Sequence, residues 1–186
     1  MKRALFALAL SAMLGTSALT GAAFAENPMV GGAAMMDNMD IIDNAMNSKD
    51  HTTLVAAVKA AGLVDTLKGE GPFTVLAPTN EAFDALPAGT VENLLKPENK
   101  DQLAKILTCH VIAAKAMAAD ITKMAMDDGG THMVDTVGGC KLALKSEGGK
   151  VTVTDENGNV ANVTIADVVQ SNGVIHVIDK VLLPKM

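Results

Sequence analysis

Aromatic residues are nearly missing from this sequence of 186 residues, which contains no Trp, no Tyr and four Phe. Two of the four, Phe6 and Phe24, lie close to the N-terminus, so the rest of the sequence has only two aromatic side chains, Phe73 and Phe83. Stacking on sugars or nucleic-acid bases therefore has almost no side chains to use. The hydrophobic core has to be built from Val, Leu, Ile, Ala and Met.

An excess of positive charge is also missing, because 15 Lys and Arg stand against 21 Asp and Glu, which gives a formal net charge of −6. A protein needs a basic patch to displace counterions from phosphates or to approach an anionic bilayer. The acidic balance therefore argues against nucleic-acid and anionic-membrane partners.

The N-terminus has the three parts of a secretory signal peptide. Lys2 and Arg3 precede an apolar run from 4 to 14, and small residues follow as far as Ala25. This pattern predicts cleavage between Ala25 and Glu26, with export to the periplasm or secretion. A retained membrane helix is the alternative, but Gly and Thr residues dilute the apolar run, so we expect no membrane insertion after cleavage.

The remaining chain is long enough for one domain with a single core. Residues 26–38 contain Gly, Pro and small residues without periodicity, which predicts a flexible leader, and the domain is expected to span 39–184. Helical patterns come first, at 41–47, after Ser48 as far as Gly62, after the predicted cap Thr79, and between Pro97 and Cys109.

Strand patterns dominate the second half of the chain. Alternation of apolar and polar residues predicts strands at 132–137, 141–145, 150–154 and 162–168, with one or two more in 173–184, besides an earlier buried strand at 72–78. Helices followed by strands indicate an α+β fold in place of a parallel βαβ sheet.

Only two cysteines are present, Cys109 and Cys140, and Cys109 stands beside His110 in the stretch LTCHVI. A nucleophilic pair is disfavoured, because neighbouring residues on a strand point to opposite faces. Two cysteines in an exported chain favour a disulfide. By the loop-closure estimate, a bridge across this separation would stabilise the fold by roughly 3–4 kcal/mol.

A metal site remains open as an alternative. Cys109, His110, His132 and Cys140 could contribute ligands, although their spacing lacks the short pairs typical of zinc sites. Methionine sulfur suits cuprous copper, but methionine also fills cores. The methionines that could supply such ligands are Met35, Met36, Met39, Met117, Met124, Met126 and Met133. We nevertheless predict no metal and no cofactor.

His110 and His176 each lie inside an apolar run, CHVI and VIHVI. A neutral imidazole in such a run can join two backbone segments through one donor and one acceptor, which predicts buried structural roles for both residues. The chain has no G-x-S-x-G, P-loop or dinucleotide motif, so we predict that it is not an enzyme.

Three segments together resemble the fasciclin, or FAS1, domain family: GPFTVLAPTNEAF at 71–83, LTCHVI at 107–112 and SNGVIHVIDKVLLP at 171–184. The resemblance implies a single compact domain, a wedge of β-strands packed with several short helices, that serves in adhesion. Within these blocks we expect structural roles for Thr79 and Asn80. Cys109 stands where the family usually has a tyrosine, so a disulfide could replace the packing of that ring.

Asp167, Val168 and Val169 resemble a short integrin-recognition motif of animal relatives, which makes them candidate binding residues. The alternative is that Val168 or Val169 fills the core of a strand, and a bacterial-style export signal argues against an integrin as the native ligand. The resemblance predicts an exported, non-enzymatic adhesion or interaction module that binds a cell-surface or extracellular protein or polysaccharide. A periplasmic copper or redox-responsive binder with Met and Cys ligands is the alternative.

Overall fold

The computed structural model describes residues 27–185, so the predicted signal peptide at 1–25 lies outside the described residues. Within 27–185 the chain forms nine strands and seven α-helices. The strands are β1 Met29–Val30, β2 Ala33–Ala34, β3 Phe73–Pro78, β4 Val111–Ile112, β5 Thr131–Asp135, β6 Lys141–Glu147, β7 Lys150–Thr154, β8 Val160–Gln170 and β9 Gly173–Ile178. The helices are α1 Ile41–Asn47, α2 Thr52–Ala61, α3 Val64–Leu67, α4 Asn80–Asp84, α5 Thr90–Leu94, α6 Lys100–Thr108 and α7 Ala118–Asp127.

Seven of the strands form one sheet in the order β4-β3-β9-β8-β7-β6-β5. Strands β5 to β9 follow one another as antiparallel neighbours, as short turns between consecutive strands require. The early strand β3 enters the sheet parallel to β9, with Phe73 beside Gly173. This mixed sheet with several short helices confirms the predicted α+β fold, and the single parallel pair brings the first and last blocks of the chain together.

The core has two parts, one on the helical side and one under the later strands. Helices α1, α2 and α6 contribute Ile41, Leu54 and Leu103 to the first part, where Val75 of β3 and Val177 of β9 also lie. The second part packs Ile121 of α7 against Leu142 and Leu144 of β6. Gly62 ends α2 in the left-handed region at φ 72°, which the sequence pattern predicted.

Helix α7 was not predicted from the sequence. The carboxylate of Asp120 caps the start of this helix, because Asp120 Oδ2 accepts a hydrogen bond from the Met117 amide at 3.1 Å. Only Ile121 and Ala125, four residues apart, are buried along it. The partly buried side chains of Ala118 and Met124 pack against the same part of the core, so the helix presents an apolar face to the sheet.

The prediction of a flexible leader at 26–38 is wrong for its central part. β1 and β2 form a small hairpin, in which the Met35 amide donates to the Pro28 carbonyl at 2.9 Å. Val30 and Met35 are 3% and 2% exposed and belong to the helical part of the core. Two apolar side chains in contact with the core are enough to hold this glycine-rich segment against the domain.

Candidate functional site

Cys109 and Cys140 form the predicted disulfide, with their Cα atoms 5.4 Å apart and both side chains buried. It joins the end of α6 to the turn before β6. Two backbone contacts support the joint, because the Val137 amide donates to the Val111 carbonyl at 2.8 Å and the Gly138 amide to the Thr108 carbonyl at 3.0 Å. With both sulfurs bonded to each other, neither offers a thiolate to a substrate or a metal.

His110 joins α6 to the C-terminal segment. Its Nδ1 donates to the Ile106 carbonyl at 2.8 Å, and its Nε2 accepts from the Leu182 amide at 2.9 Å. Burial lowers the pKa of His110 to about 4, so the ring is neutral at ordinary pH. Both ring nitrogens are occupied by backbone groups, which leaves no lone pair for a metal or a proton transfer.

His176 plays a corresponding part, because it joins β9 to β8 and to the segment before α7. Its Nε2 donates to the Ala116 carbonyl at 2.8 Å, and its Nδ1 accepts from the Asp167 amide at 3.2 Å. Burial lowers the pKa of this ring as well. Asp167 has φ 59°, and its Oδ1 accepts from the Ala118 amide at 2.7 Å, in the first turn of α7.

The candidate motif Asp167, Val168 and Val169 therefore faces inward for the most part. Val168 is 0% exposed, and Val169 is half-buried. The Asp167 carboxylate is engaged with the start of α7. A contact between this segment and a partner stays a prediction, and in this conformation Val168 has no surface to offer.

Thr79 and Asn80 organise the helices that follow β3. Thr79 Oγ1 accepts from the Ala82 amide at 3.4 Å as the N-cap of α4. Asn80 Oδ1 accepts from the Thr53 amide at 3.0 Å, while its Nδ2 donates to the Lys49 carbonyl at 2.8 Å. The asparagine thus ties the start of α4 to the start of α2.

The first residues of two of the sequence blocks meet at an open polar cleft of about 640 Å³. Because β3 and β9 are parallel neighbours, the turn at Gly71 lies beside the turn at Asn172. Asn172 Oδ1 accepts from the Ile41 amide at 3.1 Å, and its Nδ2 donates to the carbonyls of Leu67 at 2.8 Å and Gly69 at 3.0 Å. Through these three hydrogen bonds, Asn172 joins the start of α1 to the end of α3 and to Gly69 in the cleft.

Glycine is required where the two turns touch. A Cβ on Gly71 would collide with the Asn172 carbonyl, and a Cβ on Gly173 would collide with the Phe73 carbonyl. Both obstacles are backbone atoms, which cannot swing aside as the end of a flexible side chain can. The close approach of these two backbone segments thus explains Gly71 at the start of the first block and Gly173 near the start of the last one.

Charged groups of both signs line the cleft. Lys68 Nζ lies 2.5 Å from Asp43 Oδ1 and 3.5 Å from Asp40 Oδ2. The hydrogen bond from Lys68 lowers the pKa of the Asp43 carboxyl, and the same bond raises the pKa of Lys68. Glu70 and Lys115 also line the cleft and are exposed. This set of donors and acceptors suits a polar ligand, and the sequence analysis did not single it out.

No three His, Cys, Asp or Glu side chains within residues 27–185 are grouped closely enough to hold a metal ion. Of the methionines considered for copper, Met35 is in the core, whereas Met126 and Met133 are exposed at 70% and 57%. Across the same described part of the chain, no helix has the length and apolar character needed to cross a bilayer.

Comparison with known proteins agrees with this fold. The chain is 51% identical over 161 residues to Protein sll1483 of Synechocystis sp., covering 87% of this chain and 82% of that protein. It is 36% identical over 166 residues to the cell surface glycolipoprotein MPB83 of Mycobacterium bovis, covering 86% and 68% of the two chains.

Among solved structures, the FAS1 domain pair of the insect cell adhesion molecule Fasciclin I matches with a TM-score of 0.70 at 20% identity. The match covers 78% of this chain and 51% of that one, and it concerns the fold. The family model described as the fasciclin domain matches residues 49–184. The chain therefore belongs to the fasciclin domain family.

Proposed function

We propose that this protein is exported and acts without catalysis, by binding a protein or polysaccharide at the cell surface or outside the cell. The observation that carries the proposal is the contrast between its polar side chains that are hydrogen-bonded to the backbone and its charged side chains that are exposed at the cleft. Hydrogen bonds to the backbone occupy the side chains of His110, His176 and Asp167. By contrast, the side chains of Glu70 and Lys115 are exposed at the cleft. The side chains that could take part in catalysis therefore stabilise the fold, and the exposed surface is available for recognition.

Two further observations support this proposal. The names of two similar proteins place one at the cell surface and describe the other as a cell adhesion molecule. The Cys109–Cys140 disulfide suits an oxidising compartment, because disulfides persist outside the reducing cytosol. Both agree with a chain whose N-terminus has the pattern of a signal peptide.

The cleft is the surface that we assign to partner binding. Its carboxylates and ammonium groups can hydrogen-bond to sugar hydroxyls or to a polar peptide segment. None of its lining residues is aromatic, so a sugar would be held by hydrogen bonds without ring stacking. The contact would be weakened by salt, because its charges are exposed.

Attachment of the bead-coupled protein to intact cells of its host tests the binding part. We expect attachment that the double variant Glu70→Ala/Lys115→Ala reduces, because both side chains point to the cleft without an ion-pair partner among the described residues. Glu92→Ala/Lys96→Ala is the matched control, since it removes one acid and one base from an exposed surface around α5. Equal attachment of wild type and unrelated acidic protein would refute binding.

Pretreating the cells with protease or with periodate distinguishes a protein partner from a polysaccharide. Export is tested separately by fractionating the host and determining the N-terminus by mass spectrometry. An exported chain should begin at Glu26, and a chain that keeps Met1 and stays in the cytoplasm would contradict this part of the proposal.

A further inference from the structure

Strand β5 forms an open end of the seven-stranded sheet. Within residues 27–185 no strand pairs with its outer side. The opposite end differs, because β4 has only two residues, both of them buried. On β5 the side chains of Thr131, Met133 and Asp135 are exposed, and Met133 is 57% exposed. A five-residue edge with an exposed apolar centre is an available template for pairing.

The hydrogen-bond register shows which backbone groups of β5 are available. The Thr136 amide donates to the Cys140 carbonyl at 2.9 Å, which makes these two residues a hydrogen-bonded pair just beyond β5 and β6. Such pairs alternate along an antiparallel ladder, so Val134 and His132 bond to β6. The N–H and C=O groups of Thr131, Met133 and Asp135 therefore point away from the sheet.

An apolar groove of about 410 Å³ runs beside this edge, on the face that α7 covers. Val134 and His132 of β5 line it together with Met124 of α7 and Leu144 of β6. Its charged rim is formed by Lys115, Asp120 and Lys123. The edge thus combines free backbone groups, an exposed Met133 on one face and an apolar groove on the other.

We propose that β5 pairs with β5 of a second copy of this chain, antiparallel and centred on Met133. This inference does not rest on the proposed surface partner, although Lys115 lines both the cleft and the groove. In that register Met133 lies opposite its own copy, and Thr131 lies opposite Asp135. Every outward N–H and C=O group of these three residues then has a partner, so the two sheets become one.

Charge complementarity favours this register and this occupant. Asp135 Oδ1 lies 3.2 Å from Lys141 Nζ of its own chain. Across the axis it would face Thr131, whose neighbour on β6 is Lys145. Each carboxylate would thus lie between lysines of both copies, whereas a register centred on Asp135 would bring two carboxylates together.

Pairing with a second copy would also bring the apolar grooves of the two copies together. His132 of one copy would lie beside Val134 of the other on the α7 face, so the two grooves meet at the axis. Only one five-residue strand and the groove beside it take part, whereas stable complexes bury roughly 1,200 Å² or more. We therefore infer a concentration-dependent equilibrium between monomer and dimer, not an obligate dimer.

Sedimentation equilibrium of the purified protein over a wide concentration range tests the inference. Met133→Pro removes an N–H that the monomer does not use, so the fold should tolerate it at an edge strand. Because each copy loses a hydrogen bond at the axis, dimerisation should weaken roughly tenfold or more. Met133→Lys should act in the same direction by opposing two like charges, and Met46→Lys, at an exposed methionine of α1, should leave the dimer unchanged.

Cysteine crosslinking tests the register. Under a mild oxidant, Met133→Cys should form a covalent dimer, whereas Asp135→Cys alone should not, because its own copy lies several residues away along the strand. A mixture of Thr131→Cys and Asp135→Cys should crosslink as a heterodimer. A wild-type protein that stays monomeric at all concentrations, or a Met133→Cys that crosslinks no faster than Met46→Cys, would overturn the inference.

Discussion

Asp167 and His176 hold each other across strands β8 and β9, with the Asp167 amide donating to His176 Nδ1 at 3.2 Å. Each residue then reaches the segment around the start of α7, His176 through the Ala116 carbonyl and Asp167 through the Ala118 amide. The pair therefore fixes α7 against the sheet. A motif that resembles a binding sequence thus has a structural role of its own.

Replacing Asp167 separates these two roles. Asp167→Ala removes the acceptor at the start of α7 and places Ala at φ 59°, so we expect a loss of roughly 2–3 kcal/mol in the free energy of unfolding. Asp167→Asn keeps the acceptor and tolerates that backbone, so its loss should stay below about 1 kcal/mol. Urea unfolding measures both. Full stability of Asp167→Asn with lost cell attachment would instead indicate that the carboxylate binds the partner.

Acid should destabilise the protein through its buried histidines. Burial lowers the pKa of His110 from 6.5 to about 4, although the hydrogen bond to the Ile106 carbonyl and the negative charge of Asp155 both act in the opposite direction. The unfolded chain therefore takes up protons before the folded chain does, and the stabilisation present above pH 6.5 is lost as the pH falls toward 4. His51 and His176, whose pKa values burial also lowers, act in the same sense.

Urea unfolding at a series of pH values measures this dependence. The contribution of His110 is at most about 3 kcal/mol between the two ends of the window. His110→Gln should be less stable at neutral pH, yet its free energy of unfolding should fall less steeply on acidification. A variant with the same slope as the wild type would show that His110 does not titrate on unfolding.

The sequence predicts those elements whose signal is local. Gly62 ends α2, Thr79 caps α4, and alternation marks β6 and β7, because each pattern depends on residues a few positions apart. The disulfide followed from the even count of cysteines and the export pattern. These features need no knowledge of the tertiary structure.

Long-range geometry accounts for what the sequence did not show. The cleft depends on the parallel pairing of β3 with β9, about which neither strand carries a local signal. Along β8 a register shift between Ile165 and Val168, with Asp167 at positive φ, breaks the alternation and turns Val168 into the core. Counting alternate residues through that bulge gives the wrong face.

Removing the disulfide should destabilise the domain without changing its fold. The bridge spans a sequence separation of 31 residues, and the loop-closure estimate gives a loss of roughly 3–4 kcal/mol for Cys109→Ala/Cys140→Ala. Alanine avoids placing a hydroxyl at two buried positions. Reduction of the wild type should produce a similar loss in urea unfolding and leave the double variant unaffected. A variant as stable as the oxidised wild type would show that the bridge contributes nothing to the free energy of unfolding.

The N-terminal hairpin should contribute to stability through Met35. Met35→Ala removes a buried side chain, 2% exposed, and we expect a loss of roughly 2–4 kcal/mol in the free energy of unfolding. Met36→Ala is the matched control, because that side chain is 38% exposed and the backbone of Met36 keeps its two hydrogen bonds with Asn44. Its effect should stay within about 0.5 kcal/mol. Equal, small effects of both variants in urea unfolding would mean that residues 29–35 are free of the core in solution, as the glycine-rich sequence by itself suggests.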